Sequence, residues 1–124
     1  MRAKENYNSI VEICPIRNVI ARFGNKWAFL VLTITFERGV VRFNELCHAI
    51  PDVSSRVLSA TLKTLEADGL VERHAYPTVP PRVEYQLTDT GRSLMPLINQ
   101  ITVWAQNNMP YIKAHRQEYQ FNGQ

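Results

Sequence analysis

Residues 54–70, SSRVLSATLKTLEADGL, hold the first group of side chains with chemistry to offer. Wound as a helix at about 100° per residue, the segment sends Arg56, Ser59, Ala60, Lys63 and Thr64 to one side. Long cations and short hydroxyls can reach phosphates and base edges without blocking close approach to a groove. An ordinary solvated helix face carries the same residue types, so its meaning depends on the surrounding elements. A second candidate is Arg82, beside a connection containing Pro77, Pro80 and Pro81. Prolines fix φ and leave little freedom to lose, so a cation next to them meets a phosphate at a small ordering cost. The plain alternative is a rigid turn with Arg82 solvated. A third is Cys14, directly before Pro15. Proline suits the first position of a helix, which puts Cys14 at the N-cap, where free N–H groups and the helix dipole favour a thiolate. Arg17, one turn on, adds to that effect, and the thiolate is the form that oxidants attack.

The elements that must position these groups follow from punctuation and periodicity. Pro15 starts a helix over IRNVIARF that Gly24-Asn25 ends. The run Trp27–Phe36 is apolar almost all round, and its length of ten residues favours a buried helix over a strand. Gly39 stops it, VVRF makes a short strand, and NELCHAI places Phe43, Leu46, Cys47 and Ile50 on one helical face before Pro51. Ser54 is a good N-cap for the next helix, Leu58, Leu62 and Leu65 form its buried stripe, and Gly69 ends it. Two alternating runs then flank the proline loop. No Asn-Gly or Asp-Gly is present there, so the hairpin has a long, projecting connection. Thr88 caps a last helix whose stripe is Leu94, Leu97, Ile98, Ile101, Trp104 and Ala105, with a kink expected at Pro96.

Two short helices joined by PDVS, followed by a hairpin with a projecting loop, make a winged helix-turn-helix. The second helix of such a unit lies in the major groove, and the wing lies along the backbone or in the minor groove. The fold class expected is therefore mainly α with a small β-hairpin. At 124 residues the chain is read as one domain, its DNA-reading core spanning about 40–88.

Composition narrows the function classes. The net charge of +3 permits an anionic partner, yet residues 37–92 hold seven Lys/Arg against eight Asp/Glu, while residues 1–36 hold five against two. A nucleic-acid reading rests on which face the cations occupy. Two cysteines make no disulfide framework and no signal sequence precedes them, so a reducing cytoplasm is expected. The longest apolar run is about half of the roughly 20 residues that span a bilayer, so no membrane partner is expected. No nucleotide-type glycine loop, Gly-x-Ser-x-Gly or His-Glu-x-x-His occurs, and the neighbours Cys47 and His48 point about 100° apart on a helix. Neither an enzyme, a cofactor nor a metal site is expected.

From Cys14 to about Trp104 the chain resembles the HxlR-type regulators of bacteria, which are related to the MarR group of winged-helix transcription factors. The resemblance lies in CP near the start, GNKW, RFNEL, SSRVLSATLKTLEADGLVERHAY and PPRVEYQLTDTG, in order and at the family's spacing. It implies a homodimer on an inverted-repeat operator in double-stranded DNA. The helix opened by Ser54 reads the duplex through Ser55, Arg56, Ser59 and Lys63, PPRVEY forms the wing with Arg82, and helices near residues 5–23 and 89–109 build the dimer interface. It also implies redox sensing at a cysteine placed like Cys14, the plain alternative being a small apolar residue packed at the dimer interface. The place of Cys47 on the helix before the reader gives a disulfide between Cys14 and Cys47 of two subunits as one route to moving the reading helices, and the alternative is that Cys47 is simply buried beside Phe43. Two alternatives stand beside it. One is a small-molecule effector bound between the dimer helices under Trp27 or Trp104. The other is a winged-helix protein-interaction module without DNA binding, against which Arg56, Lys63 and Arg82 argue.

Overall fold

Asn25 opens the first element of the computed structural model, which describes residues 25–122. The helix expected after Cys14-Pro15 and the dimerisation segment expected near residues 5–23 lie outside the described residues. Two compact units make up the chain, one ending at Ser93 and the other beginning at Leu94.

Helix α1 (Lys26–Arg38) starts where the Asn25 side chain accepts the Trp27 N–H at 2.9 Å. Asn25 thus serves the start of this helix, whereas the sequence reading had used it to end the one before. Ala28, Val31, Leu32 and Thr35 are buried at i, i+3, i+4 and i+7, so the WAFLVLTITF run is a helix with one core face. Gly39, at φ 81°, ends it by donating its N–H to Thr35 O at 2.8 Å. A side chain at that φ would be strained, which is why glycine stands there.

Strand β1 (Val40–Arg42) leads into α2 (Phe43–Ala49). The Arg42 N–H donates to Glu45 Oε1 at 3.0 Å, closing the first turn of α2. Leu46 and Ile50 are buried, Phe43 and Cys47 half-buried, as their common face requires. After the turn through Pro51, α3 (Ser55–Ala67) begins with Ser54 Oγ accepting the Val57 N–H at 3.1 Å. Leu58, Leu62 and Leu65 are buried to within 1%. Full burial of such side chains stabilises by roughly 1.5–3 kcal/mol each, enough to fix which face of α3 looks outward. Its end is a Schellman motif: Gly69 N–H bonds Glu66 O and Leu70 N–H bonds Leu65 O, both at 3.0 Å.

Strands β2 (Val71–Tyr76) and β3 (Arg82–Leu87) form an antiparallel hairpin in register from Val71↔Leu87 to Tyr76↔Arg82. The short strand expected at VVRF is present, but its place in the sheet was not foreseen. The structure pairs β1 with β3, Val40↔Gln86, Val41↔Tyr85 and Arg42↔Glu84, in the order β1-β3-β2. An isolated hairpin is marginal in water, and the added strand buries Val41 on the same face as Tyr85 and Leu87. Side-chain alternation therefore gathers Arg42, Glu72, His74, Tyr76, Arg82, Glu84 and Gln86 on the opposite, polar face.

Helix α4 (Asp89–Asn122) starts in the first unit and supplies the second. Thr88 makes the joint. Its Oγ1 accepts the Gly91 N–H at 3.0 Å and donates to Gly69 O at 2.6 Å, and its N–H donates to Leu70 O at 3.1 Å. The helix continues to Asn122 instead of ending near residue 109, unbroken through Pro96 and Pro110. A proline removes one backbone hydrogen bond and presses on the preceding turn, and neither proline ends this helix. In the second unit Ile98 is buried, while Leu97, Ile101 and Trp104 are 56%, 50% and 60% exposed. Half of the expected stripe is thus left open.

Candidate nucleic-acid interface

With Leu58, Leu62 and Leu65 turned inward, α3 exposes Arg56, Ala60 and Lys63 and leaves Ser59 and Thr64 half-buried. Neither Arg56 nor Lys63 forms an ion pair among the described residues. They stand seven residues apart, so at 1.5 Å per residue the stripe runs about 10 Å, comparable with the roughly 12 Å width of the major groove. Ser55 lies exposed at the start of the helix, and the Ser54 hydroxyl is occupied by the cap. Thr61 turns its hydroxyl back to Val57 O at 2.8 Å and offers nothing outward.

The wing is the β2–β3 hairpin with the five-residue connection Pro77–Pro81. Val79 at its tip is completely exposed, and Thr78 braces the turn by donating its N–H to Tyr76 O and its hydroxyl to Pro80 O, both at 2.8 Å. Arg82 sits at the base of this loop in the last ladder pair, opposite Tyr76. Its guanidinium lies 5.0 Å from the Tyr76 ring centroid and hydrogen-bonds the Glu84 carboxylate. It is therefore an engaged cation, neither the simply solvated one of the plain alternative nor one held ready for a phosphate alone.

Sequence reasoning missed Arg42. In register with Glu84 across β1 and β3, Arg42 shares with Arg82, Phe43 and Asn44 a cleft of about 540 Å³ between the wing and the start of α2. It forms no ion pair among the described residues. Farther along the polar face, Gln86 at 3.2 Å and His74 at 3.1 Å hold the Glu72 carboxyl below its usual range.

Of the two cysteines, Cys47 is a half-buried free thiol on α2 and Cys14 lies outside the described residues. His48 faces Asn44 O at 2.7 Å, and no group of three or more metal-binding side chains converges among the described residues. None of the described helices is long and apolar enough to cross a membrane. On α4, Leu97, Gln100, Ile101 and Trp104 line an open apolar depression of about 390 Å³.

Comparison with known proteins gives this arrangement a context. The family model for HxlR-like helix-turn-helix proteins matches residues 22–113. The HTH-type transcriptional regulator YybR of Bacillus subtilis strain 168 is 36% identical over 116 residues, covering 94% of this chain and 92% of its own. Among solved structures, the redox regulator HypR in its reduced form superposes with a TM-score of 0.75 at 36% identity, over 81% of this chain and 98% of that one. The reduced form of the transcriptional regulator YodB from B. subtilis gives 0.67 at 30% identity, over 74% and 89%.

Proposed function

The chain belongs to the HxlR-like helix-turn-helix family and is a transcriptional regulator, not an enzyme; from that premise we propose that it is a cytoplasmic homodimer that binds an inverted-repeat operator in double-stranded DNA. The observation that carries this reading is the outward face of α3, where Arg56 and Lys63 are exposed and without ion pairs among the described residues, while three buried leucines lock the opposite face. Ser54 and Ser55 begin that helix, and Ser59 joins Arg56 and Lys63 in the groove. The wing, with Arg82 at its base, lies along the neighbouring backbone. The open Leu97, Ile101 and Trp104 side chains of α4 support self-association, because contact with a second copy removes apolar surface from water.

The test is a duplex selected from random sequence, footprinted with the purified protein. Two protected half-sites related by two-fold symmetry are expected, their centres about one helical turn or a multiple of it apart. Affinity should fall steeply with salt, as phosphate neutralisation requires. Protection of a single asymmetric site contradicts the dimeric reading, and no shift of any duplex removes DNA binding.

Response to oxidants is the finer part of the proposal. It is supported by the position of Cys14 before Pro15 and by the likeness to HypR, described as a redox regulator. Diamide is expected to change operator affinity in the wild type and to leave Cys14→Ser unaffected. A non-reducing gel shows a covalent dimer only if Cys47 of one subunit joins Cys14 of the other. A full oxidant response in Cys14→Ser would show that Cys14 is not the sensor while leaving the DNA reading intact.

A further inference from the structure

We infer that Glu84 is an internal competitor of DNA phosphate for Arg82, and so limits how much sequence-independent affinity the wing contributes. The inference rests on the DNA-binding reading above. Arg82 is 46% exposed and Glu84 only 12%, so the ion pair has its carboxylate inside and its guanidinium at the surface. Both Nε and one terminal nitrogen of Arg82 are directed at the same Glu84 oxygen, and the Tyr76 ring supports the guanidinium from one side. A guanidinium has five N–H donors, so others remain for a second anion. Arg82 also lines the cleft shared with Arg42, which stands in register with Glu84 on the next strand and has no ion pair among the described residues.

A carboxylate as covered as Glu84 is costly to leave without a partner, which holds Arg82 on it against a competing phosphate. His74, in register on the other flank, is directed to Glu72 at 3.1 Å instead. Glu45, the other nearby carboxylate, receives the Arg42 backbone N–H at 3.0 Å. Arg82 is therefore the guanidinium that Glu84 holds, and Arg42 is without an ion pair among the described residues.

Sequence-independent affinity comes from cations that displace condensed counter-ions, each steepening the slope of log K against log salt by about 0.9. A cation already neutralised by its own chain adds little to that slope. Three variants, Glu84→Gln, Arg82→Ala and the two combined, test this by salt titration on the selected operator and on an unrelated duplex. Glu84→Gln keeps the shape and removes the charge. It should tighten both duplexes roughly three- to tenfold and steepen the slope by about 0.9 per wing. Combining it with Arg82→Ala should abolish both gains. Arg82→Ala alone should leave the slope nearly unchanged, which tests the inference even if the Glu84 variant folds poorly. A slope that falls by about 0.9 per wing in Arg82→Ala, or an unchanged or weaker affinity in Glu84→Gln, overturns it. If the wild type shifts neither duplex, the DNA-binding reading fails and this inference falls with it.

Discussion

Gly91→Ala should unfold at a distinctly lower urea concentration than the wild type, with a loss of about 3 kcal/mol, at the upper end of the usual cost of overpacking. A Cβ at Gly91 would stand 2.2 Å from Leu70 O and 3.1 Å from the carbonyl carbon behind it. These are backbone atoms, and they cannot rotate aside. The same carbonyl accepts the Thr88 N–H at 3.1 Å, while Thr88 also holds Gly69 O and the Gly91 N–H. Making room for one methyl group must therefore push the first turn of α4 from the end of α3 and stretch that set of bonds together. The midpoint should fall with the denaturant dependence unchanged, because the surface exposed on unfolding is the same. An alanine variant as stable as the wild type would show that the approach of Gly91 to Leu70 is looser than described.

Arg56→Ala should weaken binding to the selected operator by about 1–3 kcal/mol and relax the preference at one position in each half-site. Alanine is the best helix former, and Arg56 is exposed without an ion pair among the described residues, so α3 should fold as before. The lost affinity would then report a lost contact and not a lost fold. Anisotropy titrations against the operator and its single-base variants separate the two kinds of contact. A base reader loses discrimination at one position, whereas a phosphate contact loses affinity uniformly. An unaltered preference profile with unaltered affinity would remove Arg56 from the interface.

The parts of this fold that could be read from the sequence are those with local causes. Ser54, the leucines at 58, 62 and 65, and Gly69 lie within one helix and its two caps, so α3 and its outward face follow from spacing alone. The alternating runs around the proline loop announced β2 and β3 in the same way. Strand β1 did not announce its partner, because a three-residue strand has no pattern that specifies pairing with β3, more than forty positions later. Arg42 was missed for that reason. The length of α4 was missed for another: Pro110 is a plausible stop, and the apolar stripe fades after Ala105. Arg82 could have been read better. Glu84 is two residues away, on the same side of a strand, and that spacing predicts the ion pair without any knowledge of register.

The sheet order has a consequence for how this protein avoids unwanted polymerisation. With β3 in the centre, the sheet edges among the described residues belong to β1 and β2. An open edge is a template on which another chain can add a strand, and natural sheets guard it with brevity, charge and proline. β1 has three residues and turns at once into α2. β2 carries Glu72, Arg73 and His74 in succession, and Pro77 follows it, with no N–H to extend the ladder. Edge-to-edge stacking of hairpins is thereby discouraged on both sides, so the wing can project into solvent without seeding fibres.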